Sequence, residues 1–126
     1  MTKILTILII LSTQFLACSK KEHLVSKQEM FEKARASGEK IELVIPSGID
    51  KGIHCTDYGE GCLGGHTIRV GRLEMIVVEY DSEDHARKAA KAIKGMYAVN
   101  WLFDDVADEP ILKKFVENTY GATKAE

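Results

Sequence analysis

Two cysteines flanked by histidines are the residues best suited to chemistry in this chain. His54, Cys55, Cys62 and His66 follow the pattern H-C-x6-C-x3-H. A disulfide between the cysteines would close the loop C-T-D-Y-G-E-G-C and stabilise the fold by about 2.5 kcal/mol. Two thiolates and two imidazoles are also donors for zinc or copper, although the spacing is not the C-x2-C of zinc knuckles. A catalytic thiol with His54 or His66 as its base is a third hypothesis.

The other candidate groups are acidic and aromatic. Asp104 and Asp105, with Glu109 close by, could form an acid pair or a cation site, but helix capping and solvation explain them more simply. Tyr97 and Trp101 could line a groove for a peptide or glycan, although aromatic residues on one strand face usually belong to the core. Phosphate loops, nucleotide fingerprints, H-E-x-x-H and G-x-S-x-G are absent from the sequence. We therefore expect no catalytic activity and no cofactor.

The first eighteen residues, MTKILTILIILSTQFLAC, have the pattern of a secretory signal. Lys3 precedes an apolar run from Ile4 to Leu11, which is shorter than the ~20 residues that a membrane-spanning helix needs. The ending Ala17-Cys18 resembles the lipobox of bacterial lipoproteins. This resemblance implies a signal peptide over residues 1–17, a diacylglyceryl group on Cys18 and, because Ser19 follows, sorting to the outer membrane. Ordinary cleavage after Ser19 and an uncleaved anchor are the alternatives.

Composition predicts one small folded domain behind this signal. The formal charge is −2, and it becomes −3 without residues 1–17, which carry one lysine and no acid. A nucleic-acid-binding protein would show a basic stripe, so we expect no nucleic-acid partner. We expect residues 18–25 to form a polar tether, residues 26–120 a single domain and residues 121–126 a frayed tail.

The hydrophobic pattern predicts an α+β fold in the order α-β-loop-β-β-α-β-α. Ser26 and Glu29 form a capping box for a first helix, and a glycine-rich stretch, residues 48–65, contains the two cysteines. The predicted sheet is mixed or antiparallel and has about four strands, and the β-β-α-β part weakly resembles a ferredoxin-like fold. The predicted elements are a helix over 27–37, strands over 41–45, 66–70 and 73–80, a helix from Ser82 to Gly95, a strand over 97–103 and a last helix beginning at Pro110.

The sequence therefore favours a lipid-anchored protein of the cell envelope, periplasmic or surface-exposed. Its partners are the membrane, through the lipid, and an envelope protein or a glycan. The alternative is a periplasmic metal carrier or redox accessory that uses His54, Cys55, Cys62 and His66. An envelope hydrolase is a third hypothesis, and it requires Asp104, Asp105 or a histidine to converge in one cleft.

Overall fold

The described part of the chain folds into three α-helices and six strands. The computed structural model describes residues 22–47 and 52–126, so the predicted signal peptide and Cys18 lie outside the described residues. The α+β prediction is confirmed. The elements are α1 (Lys27–Ala36), β1 (Ile41–Val44), β2 (Cys62–Val70), β3 (Leu73–Tyr80), α2 (Glu83–Ile93), β4 (Met96–Ala98), β5 (Trp101–Asp104), α3 (Pro110–Tyr120) and β6 (Thr123–Lys124).

The strands form one sheet in the order β1-β2-β3-β5-β4-β6, and every neighbouring pair is antiparallel. The predicted count of about four strands is wrong for two reasons. The predicted strand over 97–103 is in fact a hairpin of β4 and β5. The predicted tail also contains β6, which pairs with β4, and Ala122 before it is buried.

The turn between β4 and β5 explains why the sequence suggested one continuous strand. Ala98 and Trp101 are paired across it, which leaves Val99 and Asn100 as the two turn residues. Val99 has a φ of 52°, a conformation that a β-branched residue rarely adopts. Because Val99 is apolar, the alternating pattern of apolar residues continues through the turn. The turn also lacks the glycine or Asn-Gly pair that usually marks a hairpin.

Helices cover the two faces of the sheet unequally. On the front face, which carries Ile68, Met75, Val77, Trp101 and Phe103, the core is completed by α1 and α3. On the back face, which carries Val78, Tyr80 and Leu102, the core is completed by Ala86 and Ala90 of α2. The small alanine side chains allow α2 to pack closely on the strands, and Ile53, Tyr58 and Cys62 also pack against this core.

Each helix begins at a capping side chain. The Ser26 hydroxyl accepts a hydrogen bond from the Glu29 amide at 3.2 Å, as the capping-box pattern predicts. The Ser82 hydroxyl accepts one from the His85 amide at 3.1 Å. The Glu109 carboxylate accepts one from the Ile111 amide at 3.2 Å, at the start of α3. Within residues 22–47 and 52–126, no helix combines the length and apolar character that a membrane crossing requires.

Candidate functional site

The predicted disulfide between Cys55 and Cys62 is present, with the two Cα atoms 5.4 Å apart. We call residues 55–62 the bridged loop. The loop starts with a 3₁₀ turn over Cys55–Asp57 and continues through Gly59 and Gly61, whose φ angles are 78° and 83°. Glycine adopts this left-handed conformation without the steric penalty that other residues incur.

Tyr58 fastens the bridged loop to the back face of the sheet. Its hydroxyl donates to Asp104 Oδ2 at 2.9 Å, and the Tyr80 hydroxyl donates to the Tyr58 carbonyl at 2.7 Å. Burial and the hydrogen bond to Asp104 raise the pKa of Tyr58 well above its usual value. Burial, with a smaller effect of the Asp104 charge, raises the pKa of Tyr80 to about 12. Both phenols therefore stay protonated at neutral pH and act as hydrogen-bond donors.

His85 holds the other side of the bridged loop. Its Nδ1 lies 2.5 Å from Asp81 Oδ1, and its Nε2 lies 3.7 Å from Glu60 Oε1. The hydrogen bond to Asp81 is the main reason that the pKa of His85 lies above its usual value. The imidazole packs against Gly61, where a Cβ would collide with it. Through these contacts, His85 holds the bridged loop in position.

Two of the three candidate acids, Asp104 and Glu109, accept hydrogen bonds that have a structural role. Asp104 accepts from Tyr58 and, through Oδ1, from the Asp105 amide at 2.8 Å. Partial burial, followed by the charge of Asp104, raises the pKa of Asp105. Glu109 caps α3. The Asp104 carboxylate therefore bonds Tyr58 and the Asp105 amide, while the Glu109 carboxylate caps the start of α3.

The four candidate metal ligands do not come together. Cys55 and Cys62 are bonded to each other, and Cys62 packs against the core of the back face. His66 lies on the front face, with its ring centroid 5.5 Å from that of Phe31 and 6.1 Å from that of Trp101. In the part of the chain that the structure describes, no three His, Cys, Asp or Glu residues are placed to hold a metal ion.

The surroundings of His66 are apolar. Burial, together with the positive charge of Lys27, lowers the pKa of its imidazole to about 4. The ring is therefore neutral at physiological pH and packs, partly buried, between α1 and the sheet.

The two candidate binding aromatics lie on opposite faces. Trp101 is 1% exposed, and its indole N–H donates to the Val25 carbonyl at 2.7 Å. Tyr97 is partly buried against the core of the back face. Trp101 thus belongs to the core, and the pair does not line one surface groove.

A different concave surface, which the sequence did not indicate, lies where α1 ends, α3 begins and β2 turns into β3. We call this surface the distal groove; its volume is about 1120 Å³. Val70, Leu73 and Phe115 supply apolar lining, and Ile111 stands beside them with 64% of its surface exposed. The apolar side chain of Ile111 is therefore left largely uncovered by the rest of the domain.

Charged side chains surround the apolar lining of the distal groove. Three are cationic and two are anionic: Lys33, Arg72, Lys114, Glu39 and Glu109. The groove can therefore take up an apolar group and pair with charges beside it. Its parts come from segments far apart in sequence, which is why no local motif marks it.

Comparisons of the chain with protein-family models, with curated proteins and with solved structures find no match.

Proposed function

We propose that this protein is a lipid-anchored component of the bacterial cell envelope, and that its domain binds a protein partner in the distal groove without catalysing a reaction. Cys18 is the lipidated residue, residues 1–17 are removed, and Ser19 directs the protein to the outer membrane. The sequence pattern of residues 1–18 supports the anchor. The Cys55–Cys62 bridge supports an oxidising compartment such as the periplasm.

The observation that carries the binding role is the exposure of Ile111 beside the apolar lining of the distal groove. A partner that covered Ile111 would remove most of its side chain from water, which contributes about 1–2 kcal/mol. Val70 and Leu73 in the same groove extend the apolar contact. An exposed apolar residue next to a concave apolar surface is typical of the centre of a binding site.

The charges around the groove favour a particular kind of partner. Lys33, Arg72 and Lys114 give the groove a cationic excess over Glu39 and Glu109. Complementary charges increase association rates and specificity. We therefore propose that the partner is a protein segment that carries an apolar side chain next to acidic residues.

Site-specific photo-crosslinking of the full chain in intact cells tests the groove. A photoreactive residue at Ile111 is compared with one at Leu63, which is similarly exposed at 61% but lies beside the bridged loop. We expect a discrete crosslinked protein at position 111 and none at position 63. The double variant Arg72→Glu, Lys114→Glu should abolish that product, whereas Lys91→Glu on α2 should leave it. Equal products at both positions, or a product insensitive to the double variant, would overturn the binding proposal.

The anchor has its own test. Mass spectrometry of the mature N-terminus from the membrane fraction should show an acylated Cys18, and Cys18→Ser should move the protein out of that fraction. A mature chain that begins at Lys20 without lipid would overturn the anchor.

A further inference from the structure

The backbone of Val25 is built into the domain by two side chains. Its N–H donates to Asn100 Oδ1 at 2.8 Å. Its carbonyl accepts from Trp101 Nε1 at 2.7 Å and from Asn100 Nδ2 at 3.3 Å. Val25 is 8% exposed and belongs to the core of the front face. A residue expected to lie in a polar tether is thus fixed to the turn between β4 and β5.

The chain is held again three residues earlier. Glu22 Oε1 accepts from the Glu83 amide at 2.6 Å, at the first turn of α2. A carboxylate at this position is stabilised by the helix dipole. The domain therefore begins at Glu22, and Ser19, Lys20 and Lys21 are the residues that separate it from Cys18.

The covalent length of this connection limits how far the domain can move from Cys18. Four residues from Cys18 to Glu22, fully extended, span at most about 14 Å. The nine residues of β2 span about 26 Å. The tether is therefore much shorter than the domain.

The attachment point and the distal groove lie at opposite ends of the central strands. Tyr80, at the end of β3, donates its amide to the Asn100 carbonyl at 2.8 Å, next to Val25. Gly71 and Arg72, in the turn that joins β2 to β3, line the groove. We call the end with Glu22, Val25 and Asn100 the anchored end.

We infer that the anchored end faces the membrane and that the distal groove is held on the side away from it. This inference rests on the proposed lipid anchor at Cys18. An inverted domain would need a tether of about 26 Å, which exceeds the ~14 Å available. The groove is thus presented to a partner across the periplasm or outside the cell, and the bridged loop lies close to the lipid headgroups.

Contact quenching in vesicles tests this orientation. A fluorescent amino acid is placed at Leu63 or Ile111 of the full acylated chain, which is reconstituted with headgroup-labelled quencher lipids. Leu63 follows Cys62 at the anchored end and Ile111 lines the distal groove, and the two are similarly exposed. We expect several-fold stronger quenching at position 63. A flexible insertion of twelve residues between Lys21 and Glu22, long enough to span ~40 Å, should remove the difference.

The outcomes separate the two proposals. Equal quenching at both positions in a chain whose Cys18 is acylated overturns the orientation and leaves the anchor. A difference that persists in the long-tether variant also overturns it, because the tether would not be its cause. A chain without acylation overturns the anchor and the orientation together.

Discussion

Replacing Asn100 with alanine should destabilise the protein more than the loss of a polar side chain in an exposed turn would. Asn100 is 2% exposed, and its amide forms hydrogen bonds to the Val25 amide, the Val25 carbonyl and the Tyr80 carbonyl. Asn100→Ala leaves the buried Val25 N–H without its acceptor, which costs about 1–3 kcal/mol, and removes two further hydrogen bonds worth about 0.5–1 kcal/mol each. We expect a loss of about 3 kcal/mol, which corresponds to a fall in Tm of more than about 10 °C for a domain of this size.

Urea unfolding followed by circular dichroism measures this loss, and two further variants control it. Asn118→Ala makes the same truncation at an exposed position on α3 and should leave the midpoint nearly unchanged. Asn100→Asp keeps an acceptor and a residue compatible with turns, but loses both donated hydrogen bonds and buries a charge. We expect Asn100→Asp to be destabilised as well. If Asn100→Ala unfolds at the wild-type urea concentration, or if Asn100→Asp matches the wild type, the side chain does not hold Val25 as argued.

Three other predictions follow from the bridge and the histidines. Replacing Cys55 and Cys62 together with serine should lower the free energy of unfolding by about 2.5 kcal/mol in urea titrations; an unchanged midpoint would contradict the role of the bridge. Since burial lowers the pKa of His66 to about 4, the unfolded chain takes up a proton between pH 6.5 and 4 that the folded chain does not. The free energy of unfolding should fall by about 1–2 kcal/mol across that window, allowing for solvent screening. The variant His66→Phe should remove this pH-dependent loss. The pKa of His85 is raised, so its contribution to stability is present below pH 6.5 and lost as the pH rises through the folded-state pKa. An NMR titration should place that pKa above 6.5, and Asp81→Asn should bring it back down; a wild-type pKa of 6.5 or lower would contradict the pairing.

The elements that the sequence predicted well are those whose ends depend on neighbouring residues. Ser26 marks the start of α1, predicted over 27–37 and observed over Lys27–Ala36. The strand predicted over 73–80 has those bounds in the structure. Caps and apolar runs act through residues three or four apart, so one local window contains the whole signal.

The features that the sequence did not reveal depend on contacts between distant segments. Asn100 lies 75 residues from Val25, and its side-chain amide forms hydrogen bonds with the Val25 backbone, as a neighbouring strand would. This arrangement supports Val99 in a conformation that valine avoids, so the local pattern indicates the wrong structure. The distal groove is similar, because α1, α3 and the turn between β2 and β3 define it only after folding.

The separation of Cys62 from His66 has a specific geometric cause. Residues 62 and 66 differ by four, so in a regular strand their side chains would share a face. The pairing of β2 with β3 shifts between Cys62 and Gly64, and this bulge places one extra residue in β2. Cys62 consequently faces the back of the sheet while His66 faces the front.

Two glycines follow Leu63, one at this bulge and one directly after it. Gly64 has a φ of 141°, and a Cβ at Gly65 would collide with the Val77 carbonyl. The glycine density of the segment indicated such positions, but not which way they would turn the strand. The same bulge turns the Cys62 side chain to the back face, where it is bonded to Cys55, and leaves His66 on the front face. In this backbone the bridge therefore goes with a His66 that lies on the face opposite Cys62.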